Sequence, residues 1–299
     1  MTERAEKMYT EGLHSTQFEW SEAALALLRD LLPLMSPVLQ HSGWNEEECE
    51  TLVTLSSASS RSSESVLLLT AYGQLWDAEL VVRSVIEGSL KFAYLLQRVE
   101  TFKSRHAEYA EDLVDISFLK DHQKATQLLG AVGNPIDKEW APIRDMLLPD
   151  AEREAITMRF PKAARQRLES IWGFAGLIAA LAYSGDKAFS SFTGFAHGYS
   201  ISSHILHADY VGVALPMERD RRPTQRQESV HLTHVTRLIS DVLACLRLRL
   251  MIGYRFIGHD TTVLADVAQR IGELSARFEP TRDQWLDLEY GPDFGHAPD

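Results

Sequence analysis

Between Ser62 and Gln97 the chain is apolar around nearly a whole helical circumference, yet it carries Glu79, Arg83, Glu87 and Lys91 at successive spacings of four. Residues four apart on an α-helix lie one above another, so these four form a single slowly drifting stripe of alternating charge. A helix apolar on almost every face belongs in a core. A charged stripe on it either looks out through a gap between neighbouring helices or lines an internal polar site in which each charge finds a partner.

The rest of the chain supplies helices to surround that one. The spacing of Ala23, Ala24, Leu27, Leu28 and Leu31 predicts a first helix ended by Pro33 and Pro37. Asn45 with Glu48 three residues on reads as a capping box opening a second helix, and the serine run SSASSRSS that follows reads as a turn or bend. A third amphipathic segment over 100–129 carries Tyr109, Leu113, Ile116 and Leu119 on one face, and GAVGNP closes it. Prolines 135, 142, 149 and 161 break the pattern into short pieces, an excursion rather than a domain boundary. MRFPKAARQR then leads into an apolar helix at 168–183, and RDRRPTQRQ is expected as an exposed loop. The second long core helix covers 228–256, with Val235, Leu238, Ile239, Val242, Leu246 and Leu250 at heptad-like spacing. A last amphipathic helix covers 261–278. No strand pair and no internal repeat appear, so the expected fold class is all-α. The expected organisation is one bundle of eight to ten helices over 17–279, with loose tails at 1–16 and 280–299.

Composition excludes several function classes. A net charge of -12 argues against bulk nucleic-acid binding, which is built from Lys and Arg neutralising phosphates. Two cysteines, Cys49 and Cys245, are too few for a disulfide framework and match no zinc spacing, so both read as reduced and buried. The polar N-terminus lacks the apolar core of a signal peptide, and the run from Ile171 is too short to span a bilayer. The chain therefore reads as cytoplasmic, with no membrane partner. No Gly-rich phosphate loop and no nucleophile elbow is present, and no cofactor is expected.

The histidines carry the remaining chemistry. Five of the eleven fall between His197 and His234. His197, Ser200, His204 and His207 share one helical face, and His204/His207 and His231/His234 form two HxxH pairs. Taken as ligands, these pairs on facing helices, with Glu228 adding an ExxH to His231, would make a metal site. A di-iron bundle needs two ExxH motifs and the chain has one, so no metal is assigned.

The segment AYGQLWDAELVVRSVIEG, with Arg83 and Glu87, resembles a helical bacterial family of unknown function. Its members share a central R-x-x-x-E helix and a later helix with a hydroxyl residue four before a His-small pair, here Thr193, His197 and Gly198. Thr193 stands where serine, and Phe189 where tyrosine, is usual there. That family is remotely similar to the HEPN bundles, many of which are defence or toxin ribonucleases with an Arg-x(4 to 6)-His motif; the match here, Arg226 to His231, is of a kind that chance supplies. The resemblance implies a site in which Arg83 and Glu87 face His197 and His204.

Two functions follow, with a metal-binding bundle that uses the HxxH pairs as a further alternative. In one the chain is a binding or interaction module whose polar cluster holds a small anionic ligand or a partner protein. In the other the cluster is a metal-independent ribonuclease site, Arg83 stabilising a phosphate and His197 moving the proton. The sequence leaves open whether the chain is an enzyme at all, and a homo-oligomer is compatible with it.

Overall fold

The computed structural model describes residues 11–186, 189 and 193–291, with backbone alone for Glu11 and 193–198. Every regular element among them is helical. Thirteen helices have nine residues or more: α1 Glu11–Leu31, α2 Glu46–Ala71, α3 Leu75–Leu95, α4 Val99–Ala107, α5 Leu113–Ala131, α6 Asp150–Arg159, α7 Lys162–Trp172, α8 Phe174–Ala182, α9 Thr193–Leu206, α10 Tyr210–Asp220, α11 Thr224–Ile257, α12 Val263–Ala276 and α13 Glu279–Tyr290. None is long and apolar enough to cross a membrane.

The count exceeds the expected eight to ten because segments read as one helix divide, 100–129 into α4 and α5 and 168–183 into α7 and α8, and because α13 is added at the end; other boundaries move without changing the count. The stretch 62–97 is not one helix. It is the end of α2, a tight turn, and α3. Gly73 adopts φ 73°, the left-handed conformation that costs glycine least, while Gly73 N donates to Thr70 O at 3.0 Å and Gln74 N to Leu69 O at 2.9 Å. The serine run is no bend. It lies inside α2, where Ser59, Ser60, Ser63 and Ser65 each donate their hydroxyl to the carbonyl four residues back, at 2.8 to 3.0 Å. The end after Pro280, expected to be loose, is helical to Tyr290.

Two compact units replace the single bundle expected over 17–279. One comprises the described residues up to Leu96 and those after Ser190; the other comprises 97–189. In the second unit Ile116 and Leu119 of α5 pack with Ile156 and Phe160 into a small core of their own, joined by Leu148 and Leu168. Arg159, from the basic segment, pairs with Asp112 at 2.5 Å and Asp115 at 3.2 Å.

In the first unit α3 packs against α2, α9 and α11, and α1 packs against α2 and α11. The capping box forms as the sequence requires, Glu48 N donating to Asn45 Oδ1 at 2.8 Å and Asn45 N to Glu48 Oε2 at 3.0 Å. All six heptad-spaced residues of α11, Val235 to Leu250, are fully buried. Cys245 is buried too, and burial pushes its thiol up to about 12; Cys49 is only half-buried, its Sγ 3.4 Å from Leu39 O. Arg249, one turn beyond Cys245, is 0% exposed, and none of its guanidinium nitrogens has a hydrogen-bond partner among the described residues.

The α2–α3 contact is made close by small residues. A Cβ placed on Gly88 would lie 2.3 Å from Ser59 Oγ and 3.5 Å from Ser59 Cβ. Gly88→Ala should therefore destabilise by about 1 to 3 kcal/mol. Ser59→Ala in the same chain removes the offending oxygen and should restore most of the loss. Additive losses in urea denaturation of the single and double variants would disprove this contact.

Candidate polar site of the first unit

The stripe on α3 grades from core to surface. Glu79 is 1% exposed, whereas the side chains of Arg83 and Glu87 are 15% and 33% exposed. A carboxylate removed from water that completely needs several partners. Glu79 has three: Ser202 Oγ of α9 donates to Oε2 at 2.9 Å, and Oε1 meets His234 Nε2 at 2.6 Å and the Arg237 guanidinium, both of α11. Arg237 also reaches Asp241 at 2.8 Å. Burial pushes the Arg237 pKa down and that of Asp241 up.

The protonation of His234 follows from its neighbours. Its Nδ1 lies 3.1 Å from Arg219 Nη1, and a guanidinium can only donate, so Nδ1 accepts. The ring proton is then on Nε2 and is donated to Glu79. Burial first, and the Arg219 charge second, lower His234 to about 3, so the ring is neutral at pH 7. Trp76 of α3 completes the arrangement, with its ring 5.1 Å from that of His234 and the Arg219 guanidinium 4.5 Å from its face.

A second cluster lies further along α3. Arg83 Nη2 donates to Tyr199 Oη of α9 at 2.6 Å, and Tyr199 donates to Glu87 Oε1 at 2.6 Å; Arg83 and Glu87 themselves approach to 3.8 Å. Burial, with the hydrogen bond to Glu87, raises the Tyr199 pKa, which keeps the phenol protonated for that role. Arg83 and Glu87 thus meet as expected, through a tyrosine that the sequence reading did not single out. His197 lies on α9, two residues before Tyr199, but its side chain, like that of Thr193, is outside the described residues.

The other histidines separate. His204 is 42% exposed and its Nδ1 lies 2.6 Å from Asp209, the residue that caps α10; His207 is exposed. His231 turns to α1, with Nε2 2.6 Å from Gln17 Oε1, while Gln17 Nε2 donates to Ala71 O at 3.1 Å. The two HxxH pairs therefore do not converge, since His204, His231 and His234 each bond a different neighbour. Among the described residues no group of three or more His, Cys, Asp or Glu is arranged to hold a metal ion.

Beside Glu79 opens a cavity of about 690 Å³ between α3, α9, α10, α11 and α13. Trp76, Ile86, Leu215 and Trp285 give it apolar and aromatic walls; Arg219, His234, Arg237 and Thr233 give it polar ones. Two of its elements were read differently from sequence. RDRRPTQRQ is the end of α10 and the start of α11, with Arg219 only 9% exposed, and α13 supplies Trp285, Glu289 and Tyr290 from the supposed loose end. Tyr199 and Ser202, three apart on α9, could have been found as a polar pair matching Glu79 and Arg83, four apart on α3. No signal in the sequence pairs Arg219 with His234. Comparison with known proteins leaves the geometry to speak alone: no family model, no curated protein and no solved structure matches the chain.

Proposed function

We propose that the chain is a binding module that holds a small molecule with an apolar or aromatic body in the cavity beside Glu79. The observation that carries this is the combination of a 690 Å³ space, walled by Trp76, Trp285 and aliphatic side chains, with a fixed set of polar groups at one side. Those polar groups favour binding over proton transfer. His234 is neutral in one tautomer and bonded on both nitrogens, and an imidazole lowered to about 3 is a poor base at pH 7.

Anilinonaphthalene sulfonate, whose fluorescence rises in apolar surroundings, is a suitable first occupant. One molecule per chain should bind, and Leu215→Trp, which fills the cavity from α10, should abolish binding while the cooperative melt and the far-ultraviolet dichroism of the helices stay as in the wild type. Binding that persists in a folded Leu215→Trp would place the dye elsewhere and remove this support. Robust cleavage of bulk RNA by the wild type at physiological salt, lost in His197→Gln, would replace the binding module with the ribonuclease.

A further inference from the structure

We propose that the occupant of this cavity carries an anionic head group, and that Glu289 stands in for that group in the ligand-free protein. The proposal rests on the cavity being a ligand site and adds the charge of the ligand and the residues that read it.

Glu289 lies on α13, among the lining residues, with its side chain 11% exposed. Both its oxygens are held by arginine. Arg226 takes it with two nitrogens, Nε to Oε1 at 3.1 Å and Nη2 to Oε2 at 2.8 Å, and Arg222 Nη1 reaches Oε1 at 2.9 Å. A planar fork that grips one carboxylate bidentately fits a ligand carboxylate, sulfonate or phosphate equally well.

The helix that brings Glu289 there packs on α11 from the surface. None of the residues of α13 is buried, and Tyr290 beside Glu289 is 73% exposed. The ion pair is one tie at that end of the helix, and a competing anion can replace it without opening the core.

The charge balance points the same way. The lining carries Arg219, Arg222 and Arg237 against Glu79, Glu218, Asp241 and Glu289, and Arg226, which is outside the lining but grips Glu289, brings this set to neutrality with His234 uncharged. Moving Glu289 aside leaves four guanidinium groups against three carboxylates, an excess of one positive charge beside apolar walls. A ligand with an apolar body and one anionic head restores both the balance and the contacts with Arg226 and Arg222, whereas a neutral ligand leaves the excess uncompensated if it displaces Glu289.

Two dyes with the same aromatic body separate the charge from the body: anilinonaphthalene sulfonate and uncharged phenylnaphthylamine. Glu289→Gln keeps the side-chain length and removes the competing charge. It should tighten binding of the sulfonate by about tenfold and leave phenylnaphthylamine within about twofold. Adding Arg226→Gln should remove the gain, and raising ionic strength should weaken the sulfonate alone. If both dyes tighten equally in Glu289→Gln, Glu289 is only a staple for α13 and the proposal fails while the cavity remains a ligand site. If neither dye binds any variant, the cavity itself is not one. Should Glu289→Gln lose its cooperative melt, Arg226→Gln alone carries the comparison: it should weaken the sulfonate and leave phenylnaphthylamine unchanged, and equal effects on both dyes would overturn the proposal.

Discussion

Lowering the pH from 7.5 to 5.5 should reduce the unfolding free energy by about 2.7 kcal/mol through two histidines alone. His231 and His234 are both lowered from 6.5 to about 3, by burial first and then by Arg219, with His234 adding to the shift of His231. Between those values the unfolded chain binds a proton at each site and the folded chain does not, so stability rises with pH across that window. It is complete above about pH 7 and is lost as the pH falls below 6.5, at about 1.4 kcal/mol per unit for each histidine.

The other groups facing His234 are Glu79, Arg219 and Trp76; Gln17 faces His231. Asp241 opposes the trend, because burial raises its pKa and a raised carboxyl favours the fold at low pH. Its influence lies nearer the carboxylate range, so the slope is best read above pH 5.5. His234→Gln keeps a donor toward Glu79 and should remove about half of the pH dependence; the double variant with His231→Gln should remove nearly all of it. An unchanged slope in the double variant would show that the two rings are protonated in the folded protein.

Glu79→Ala should be the most damaging single change on α3, at about 3 to 5 kcal/mol. It leaves the His234 N–H, the Ser202 hydroxyl and one side of Arg237 without their acceptor inside the unit. Glu79→Gln retains one acceptor oxygen and should lose about 1 to 3 kcal/mol. Arg83→Ala should cost less than Glu79→Ala, because Glu87 is a third exposed and regains water when its partner goes. Guanidinium denaturation of the three variants gives the order directly. An Arg83→Ala loss equal to or larger than that of Glu79→Ala would mean that the site is centred on the Arg83 cluster.

That order also marks what could and could not be read from the residues. Period and capping revealed the helical class, the α11 core face and the Asn45 box, because each is a local relation between residues a few positions apart. The same local reasoning made Glu79 one rung of an even ladder. Its burial depends on α9 and α11 arriving from far along the chain, which no periodicity encodes. The α2–α3 break was legible in principle, since Gly73 sits within an otherwise uninterrupted pattern, but the apolar run on both sides outweighed one glycine. RDRRPTQRQ looked like exposed chain because its charges are many, and the segment after Pro280 because of its Gly, Pro and Asp content. In the fold Arg222 and Arg226 are neutralised by Glu218 and Glu289, which is how a polar sequence comes to line a cavity.

Ser202 and His234, which meet Glu79, come from 123 and 155 positions away, and Tyr199 reaches Arg83 across 116. Closing a loop of that length costs entropy that rises only with the logarithm of its length, but it must be met before any of these contacts forms. The hairpin of α2 and α3 is local and can assemble early. The polar site cannot, and it has no partial form, since it exists only when α3, α9, α10 and α11 are all in place. Whatever binds there therefore draws on the folding equilibrium of the entire first unit, and a tight occupant would protect helices far from the cavity as fully as those that touch it.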